Sequence, residues 1–165
     1  MKEGSLLESQ IQAILEKLRL RKETLSFAES CTGGLLSSQV TSLPGVSDVF
    51  MGSVVTYSNR MKREILHVPA SLLNTMGAVS RPVALEMARG AKALTNTDWA
   101  VSITGIAGPT GGTDKKPVGT VCFAIVGPGF EWNSQESFSG SRVQVQQSSA
   151  KFAIETLSKV LANEL

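Results

Sequence analysis

Thr24-Leu25-Ser26-Phe27-Ala28-Glu29-Ser30-Cys31-Thr32-Gly33-Gly34-Leu35-Leu36 is the stretch that decides the fold class. Thr24 to Ala28 alternates over a short run, as a strand does. Ser30 to Gly34 is turn chemistry, and Leu35, Leu36, Val40 and Leu43 then recur at helical spacing until Pro44-Gly45 ends them. Strand, tight turn and helix therefore follow one another with no room for a long loop. A serine, a thiol, a carboxylate and a glycine pair are crowded into that turn.

The same grammar recurs downstream. Gly52 to Tyr57 is rich in β-branched residues, and Ser58 is placed to cap a short helix from Asn59 to about Leu66. Pro69 opens a second short helix ending near Gly77, and Ser80-Arg81-Pro82 opens a longer one running to about Leu94. Trp99 to Ile103 reads as a buried strand, followed by a Gly-rich loop from Gly105 to Pro117. Val118 to Val126 and Glu131 to Phe138 are two further strands around the turn Gly127-Pro128-Gly129, and Gln144 to Leu161 carries the stripe of a closing amphipathic helix. Upstream, Ser5-Leu6-Leu7-Glu8 has the capping-box pattern, and Leu7, Ile11, Ile14, Leu15 and Leu18 mark a first helix to about Lys22. The expectation is an α/β fold: a mixed β-sheet with helices on both faces, in one three-layer α/β/α domain spanning residues 1–165. Ligands of such sheets bind outside the carboxyl ends of the strands, where both junctions and the Gly-rich loop would gather.

The chain has 165 residues, 42% of them apolar, which suits one compact core. Sixteen basic against fourteen acidic residues leave a net charge of +2. The basic residues are scattered, which argues against a nucleic-acid partner. Charges interrupt Met1 to Lys22, so no signal peptide or membrane span is expected there, and the expected location is the cytoplasm with no membrane partner. Cys31 and Cys122 lack metal or redox spacing and are expected to be reduced thiols.

Several chemistries fall away. An imidazole base would have to be His67, which sits at a helix end before Val68-Pro69 and reads as solvent-facing. One histidine and two separated cysteines cannot make a nitrogen/sulfur metal shell, so no metal is expected. Gly105-Ile106-Ala107-Gly108-Pro109-Thr110-Gly111-Gly112 is neither a dinucleotide fingerprint nor a Walker loop, although Thr104 just before it could offer a hydroxyl to a ligand. What remains is serine or cysteine chemistry with a lysine base. Lysine acts as a base near neutrality only if burial or a neighbouring cation lowers its pKa. Lys62, one helical turn after Ser58 and flanked by Arg60 and Arg63, is the candidate; the alternative is a solvated helix-face lysine. Cys31 lacks a basic partner nearby in sequence and reads as a buried filler.

Five strings make the chain similar to the CinA C-terminal domain family. They are Ala28-Glu29-Ser30-Cys31-Thr32-Gly33-Gly34; Val55-Thr56-Tyr57-Ser58-Asn59 with Lys62; Gly77-Ala78-Val79-Ser80; Gly105-Ile106-Ala107-Gly108-Pro109 with Lys116-Pro117-Val118-Gly119-Thr120; and Phe138-Ser139-Gly140 with Arg142. The resemblance implies a nicotinamide-nucleotide amidase, which hydrolyses nicotinamide mononucleotide to nicotinate mononucleotide and ammonia in pyridine-nucleotide recycling. It implies a small-molecule pyridine mononucleotide as partner, with neither metal nor organic cofactor. The family's association with competence and DNA damage supports an alternative, a non-catalytic nucleotide-binding or regulatory protein. A homo-oligomer is compatible with either. Many relatives carry this domain behind a larger one, whose activities the resemblance does not bring here.

The family's polar positions fall on Ser30, Ser47, Tyr57, Lys62, Thr104 and Arg142. In the mechanism the resemblance implies, Lys62 deprotonates a serine and Tyr57 positions or relays the proton. Ser47, on a freer loop, is preferred as nucleophile, and Ser30 is the alternative. Ser30 and the N–H groups around Gly33 and Gly34 also suit a cradle or oxyanion site at a helix start. Arg142 and the loop glycines Gly105 and Gly108 are candidates for the substrate phosphate. Two positions depart from the family pattern: His67 stands where glycine is frequent, and Ser141 stands where aspartate precedes the arginine, which bears on how Arg142 is oriented.

Overall fold

A computed structural model of the chain describes residues 3–165. Its elements run α1 (Glu3–Arg21), β1 (Leu25–Glu29), α2 (Leu35–Thr41), β2 (Phe50–Val55), α3 (Asn59–Leu66), α4 (Ala70–Met76), α5 (Arg81–Thr95), β3 (Trp99–Gly105), β4 (Thr120–Gly127), β5 (Phe130–Ser137) and α6 (Arg142–Leu161). The five strands form one sheet in the order β2-β1-β3-β4-β5. β2, β1 and β3 run parallel, and β4 and β5 complete the sheet as an antiparallel hairpin. Among the described residues no helix is long and apolar enough to cross a membrane.

The helix starts follow their caps. Ser58 Oγ accepts from the Met61 amide at 3.2 Å and starts α3, and Ser80 does the same for α5 through Val83. Ser141 and Gln144 form a full capping box, so α6 begins at Arg142 rather than at Gln144. At the amino end the sequence pattern misleads. α1 already begins at Glu3, so Ser5-Leu6-Leu7-Glu8 lies inside its first turns and not at a cap.

Alternation along the central strands sorts side chains by size. Leu25, Phe27, Val101, Ile103, Phe123 and Ile125 belong to the larger core, under α1, α2 and α6. Ala28, Ala100, Cys122 and Ala124 belong to the clusters that pack with α5. Small residues meet there from both sides, since α5 contributes Ala84, Ala88 and Ala91, all fully buried. α5 therefore lies close to the sheet and in turn supports α3.

Gly90 is what lets α3 and α5 approach. A Cβ at that position would stand 2.2 Å from the Leu66 carbonyl oxygen, a backbone atom at the end of α3. Gly90→Ala would gain about 1 kcal/mol of helix propensity. The overpacking it causes costs typically about 1–3 kcal/mol, and here a main-chain atom has to yield. Steric cost wins, and urea denaturation of the variant is expected to show a net loss of about 1–2 kcal/mol. A variant as stable as the parent would contradict this packing.

Candidate active site

Three parallel strands end side by side. Glu29 at the end of β1 pairs with Val55 of β2 and Ile103 of β3, so Ser30, Thr56-Tyr57 and Thr104-Gly105 emerge together. The loop from β3 to β4 and the first residue of α6 close the opposite side. They bound a cavity of about 330 Å³ lined by Ser30, Tyr57, Lys62, Thr104, Gly108 and Arg142, among others. That is the lower end of the usual size of small-molecule sites. β1 and β3 flank the point where the strand order reverses, the place where open α/β sheets bind ligands.

Lys62 is 1% exposed. Its Nζ donates to Ser30 Oγ at 2.8 Å and to the Thr56 carbonyl at 2.7 Å. Burial pushes its pKa down from 10.5 to about 8, with the nearby Cys31 thiol opposing the shift. Arg60 and Arg63 are not the cause: both lie on the exposed side of α3, in ion pairs with Glu64 at 3.5 and 3.7 Å. An amine near pH 8 within hydrogen-bond reach of a hydroxyl is the geometry of a general base beside its nucleophile. The Ser30 amide donates to the Ile103 carbonyl at 3.0 Å, which fixes the serine's backbone against β3. Burial raises the Cys31 thiol to about 12, so it holds its proton.

At the mouth, Arg142 donates through Nη1 to the Gly108 carbonyl and through Nη2 to Tyr57 Oη, both at 2.8 Å. Tyr57 thus joins the site through Arg142, while the Lys62 amine is engaged by Ser30 and Thr56. Thr104 Oγ1 donates to the Ala78 carbonyl at 3.0 Å, which leaves its lone pairs to accept from a ligand. Gly108 stands at φ 84, and a Cβ there would meet Val118 Cγ1 at 2.4 Å. Gly105 is as tightly held against β4, with Val121 Cγ2 at 2.7 Å from its absent Cβ. Both glycines line the cavity, and both are required by the close approach of neighbouring chain.

Three expected residues fall elsewhere. Ser47 is exposed in the turn that precedes β2, and because β2 is parallel to β1, with Phe50 opposite Leu25, that turn lies at the amino ends of the strands. At about 3.3 Å of rise per residue, Ser30 is about 15 Å away along the strand direction. Gly33 and Gly34 line a separate shallow hollow with Val143 and Gln146. The Gly34 amide is already bonded, to the carboxylate of Glu29 at 3.0 Å. Glu29 is the residue that sequence reasoning missed; it is fully buried and accepts most of the donors at the start of α2. Its signal was a glutamate within an otherwise apolar strand end.

His67 is exposed and ends α3 in the left-handed conformation. A larger hollow of about 530 Å³ opens beside Leu7, Gln39, Gln144, Gln147 and Lys151, but its lysine is half-exposed and far less confined than Lys62. Among the described residues no three histidines, cysteines or acids stand together as metal ligands would.

Comparison with known proteins agrees with this arrangement of strands and helices. The family model of the CinA C-terminal domain matches residues 7–161. A CinA-like protein of Prochlorococcus marinus subsp. pastoris is 47% identical over 151 residues, which are 90% of this chain and 35% of that protein. One from Fervidobacterium nodosum is 46% identical over 144 residues, 87% of this chain and 35% of the relative. The chain thus spans about a third of the length of the curated relatives it matches. Among solved structures, a competence-damaged protein (CinA) superfamily protein from Klebsiella pneumoniae superposes with a TM-score of 0.91 at 34% identity, covering 95% of this chain and 98% of that one. The competence/damage inducible protein CihA from Agrobacterium tumefaciens gives 0.90 at 36% identity, covering 94% and 95%.

The lowered Lys62 pKa has a consequence for stability. Between about pH 8 and 10.5 the unfolded chain keeps a proton on this lysine that the folded chain has released, so folding becomes more favourable as pH rises through that window. Relative to Lys62→Met, the wild type is expected to gain about 2 kcal/mol between pH 7 and pH 9.5 in urea denaturation. Parallel pH dependences for the two chains would show that Lys62 is not desolvated as described.

Proposed function

The chain belongs to the CinA C-terminal domain family, and we propose that it is a metal-independent amidohydrolase converting nicotinamide mononucleotide to nicotinate mononucleotide and ammonia. The observation that carries this reading is the buried amine of Lys62 at 2.8 Å from Ser30 Oγ. Ser30 replaces Ser47 as nucleophile, because only Ser30 is within reach of the base.

Neutral Lys62 takes the Ser30 proton as Oγ attacks the carboxamide carbon. The tetrahedral adduct collapses with cleavage of the C–N bond, and Lys62 passes the proton to the departing nitrogen, which leaves as ammonia. A water molecule, deprotonated by the same amine, then attacks the Ser30 ester and releases the carboxylate. Thr104, whose own proton is directed at Ala78, accepts from the carboxamide N–H₂ and so orients it. Arg142, held by Gly108 and Tyr57 at the mouth, is the group suited to the substrate phosphate. Tyr57 positions that guanidinium instead of relaying the serine proton.

Ammonia release from chelator-treated protein tests the reading. Lys62→Met and Ser30→Ala are each expected to lower kcat by about 10²–10⁴, with Ser47→Ala close to wild type. The rate should rise with pH around a midpoint near 8, since Lys62 must be neutral to act as base. Mononucleotide binding without ammonia release would support the non-catalytic alternative. Arg142→Met should raise KM for the phosphorylated substrate more than it lowers kcat; equal KM values would remove Arg142 from phosphate recognition.

A further inference from the structure

Glu29 immediately precedes Ser30 and is fully buried. Its Oε2 accepts from Thr32 Oγ1 at 2.7 Å, the Gly34 amide at 3.0 Å and the Leu36 amide at 3.1 Å. Its Oε1 accepts from the Ser37 amide at 2.9 Å and from the Ser37 hydroxyl, with Ser53 Oγ of β2 at 3.5 Å. The amides among these belong to the start of α2, which a helix cannot satisfy internally. A neighbouring Ser or Asn ordinarily satisfies them. Here the cap position is Gly34 at φ 99, a conformation other residues rarely adopt, and it has no side chain to offer. Glu29 therefore caps α2 from the preceding strand, reaching across the turn that contains Ser30.

The same residue is tied to the base. Its carbonyl accepts from the Thr56 amide at 2.8 Å, and the Thr56 carbonyl accepts from Lys62 Nζ at 2.7 Å. Two short routes run outward from Glu29, one through its side chain to the turn that presents Ser30 and one through its backbone to Lys62. We propose that Glu29 is the positioning residue of the Ser30–Lys62 pair: its carboxylate clamps the turn so that Ser30 Oγ stays within hydrogen-bond distance of the amine. This rests on the serine–lysine reading above.

Glu29→Gln keeps the shape and spoils the acceptor pattern. Whichever way the amide points, its NH₂ faces a backbone N–H that cannot turn round: Gly34 and Leu36 at one end, Ser37 at the other. Misplacing a reacting atom by about 1 Å can cost on the order of 100-fold. In the full chain, the modification of Ser30 by a fluorophosphonate probe should therefore slow by about 100-fold in Glu29→Gln, toward the rate of Lys62→Ala. Calorimetry with nicotinate mononucleotide should show affinity within about threefold of wild type, because the wall formed by Thr104, Gly108 and Arg142 is untouched. This split between reactivity and binding is what a purely structural defect would not produce. A modification rate within about threefold of wild type overturns the proposal. So does a parallel loss of binding.

If Glu29→Gln does not fold, Glu29→Asp, which retains the charge one methylene short, should slow modification by about tenfold, and a wild-type rate overturns the proposal equally. If wild type is modified no faster than Lys62→Ala, it is the serine–lysine reading that fails. The separation of Ser30 Oγ and Lys62 Nζ in a crystal structure of the Glu29 variant then decides the positioning role by itself. An unchanged 2.8 Å contact overturns it, and a lengthened one sustains it.

Discussion

A lysine amine held out of water organises this end of the molecule. Moving its pKa from 10.5 to about 8 means that, at neutral pH, Lys62 opposes folding by several kcal/mol, at about 1.4 kcal/mol per unit. Domains are stable by only about 5–15 kcal/mol in total. Such a group persists because its surroundings leave it nowhere else to go. α3 is short and closed at both ends, by Ser58 and by the left-handed His67, so Lys62 has a fixed direction on it. Gly90 allows α3 to press against α5, and the parallel register brings the Thr56 carbonyl and the Ser30 hydroxyl to the amine. The large side chains on the far face of the sheet supply the offsetting burial.

Local signals in this sequence were legible and relational ones were not. Ser58, Ser80 and Pro69 announce α3, α5 and α4 because capping chemistry is decided within four residues. The strand-turn-helix at residues 24–36 and the closing hairpin were readable for the same reason, from alternation and turn residues. Ser5 misled because a capping pattern says nothing about whether the preceding residues also turn helical. Ser47 misled for a deeper reason. It stands 17 residues nearer to Lys62 in sequence than Ser30 does, yet distance along the chain is no guide: strand direction, a property of the pairing of β2 with β1, sends it to the opposite end of the strands.

The absence of competitors makes Lys62 a candidate base in the sequence, but the cause of its lowered pKa is not readable there, because flanking arginines and burial look alike in a string of letters. Only the fold places Arg60 and Arg63 outside and the amine inside. The role of Glu29 is not legible in the sequence, since a glutamate before a helix usually means a solvated charge, whereas here it is fully buried. The bond from Arg142 to Tyr57 spans 85 positions and leaves no local trace.

α6 carries two obligations at once. Along its length it completes the core over α1 and the sheet, and at its first residue it brings Arg142 to the mouth of the cavity, with Gln146 donating to the Cys31 carbonyl one turn on. Ser30 and Lys62 lie far upstream of this helix in the chain, so α6 is synthesised after them. A nascent or truncated chain that lacks it has an open hydrophobic face and an unfinished entrance together. Completion of the core and completion of the binding mouth are therefore a single event, so a chain that has not finished folding does not display a finished site.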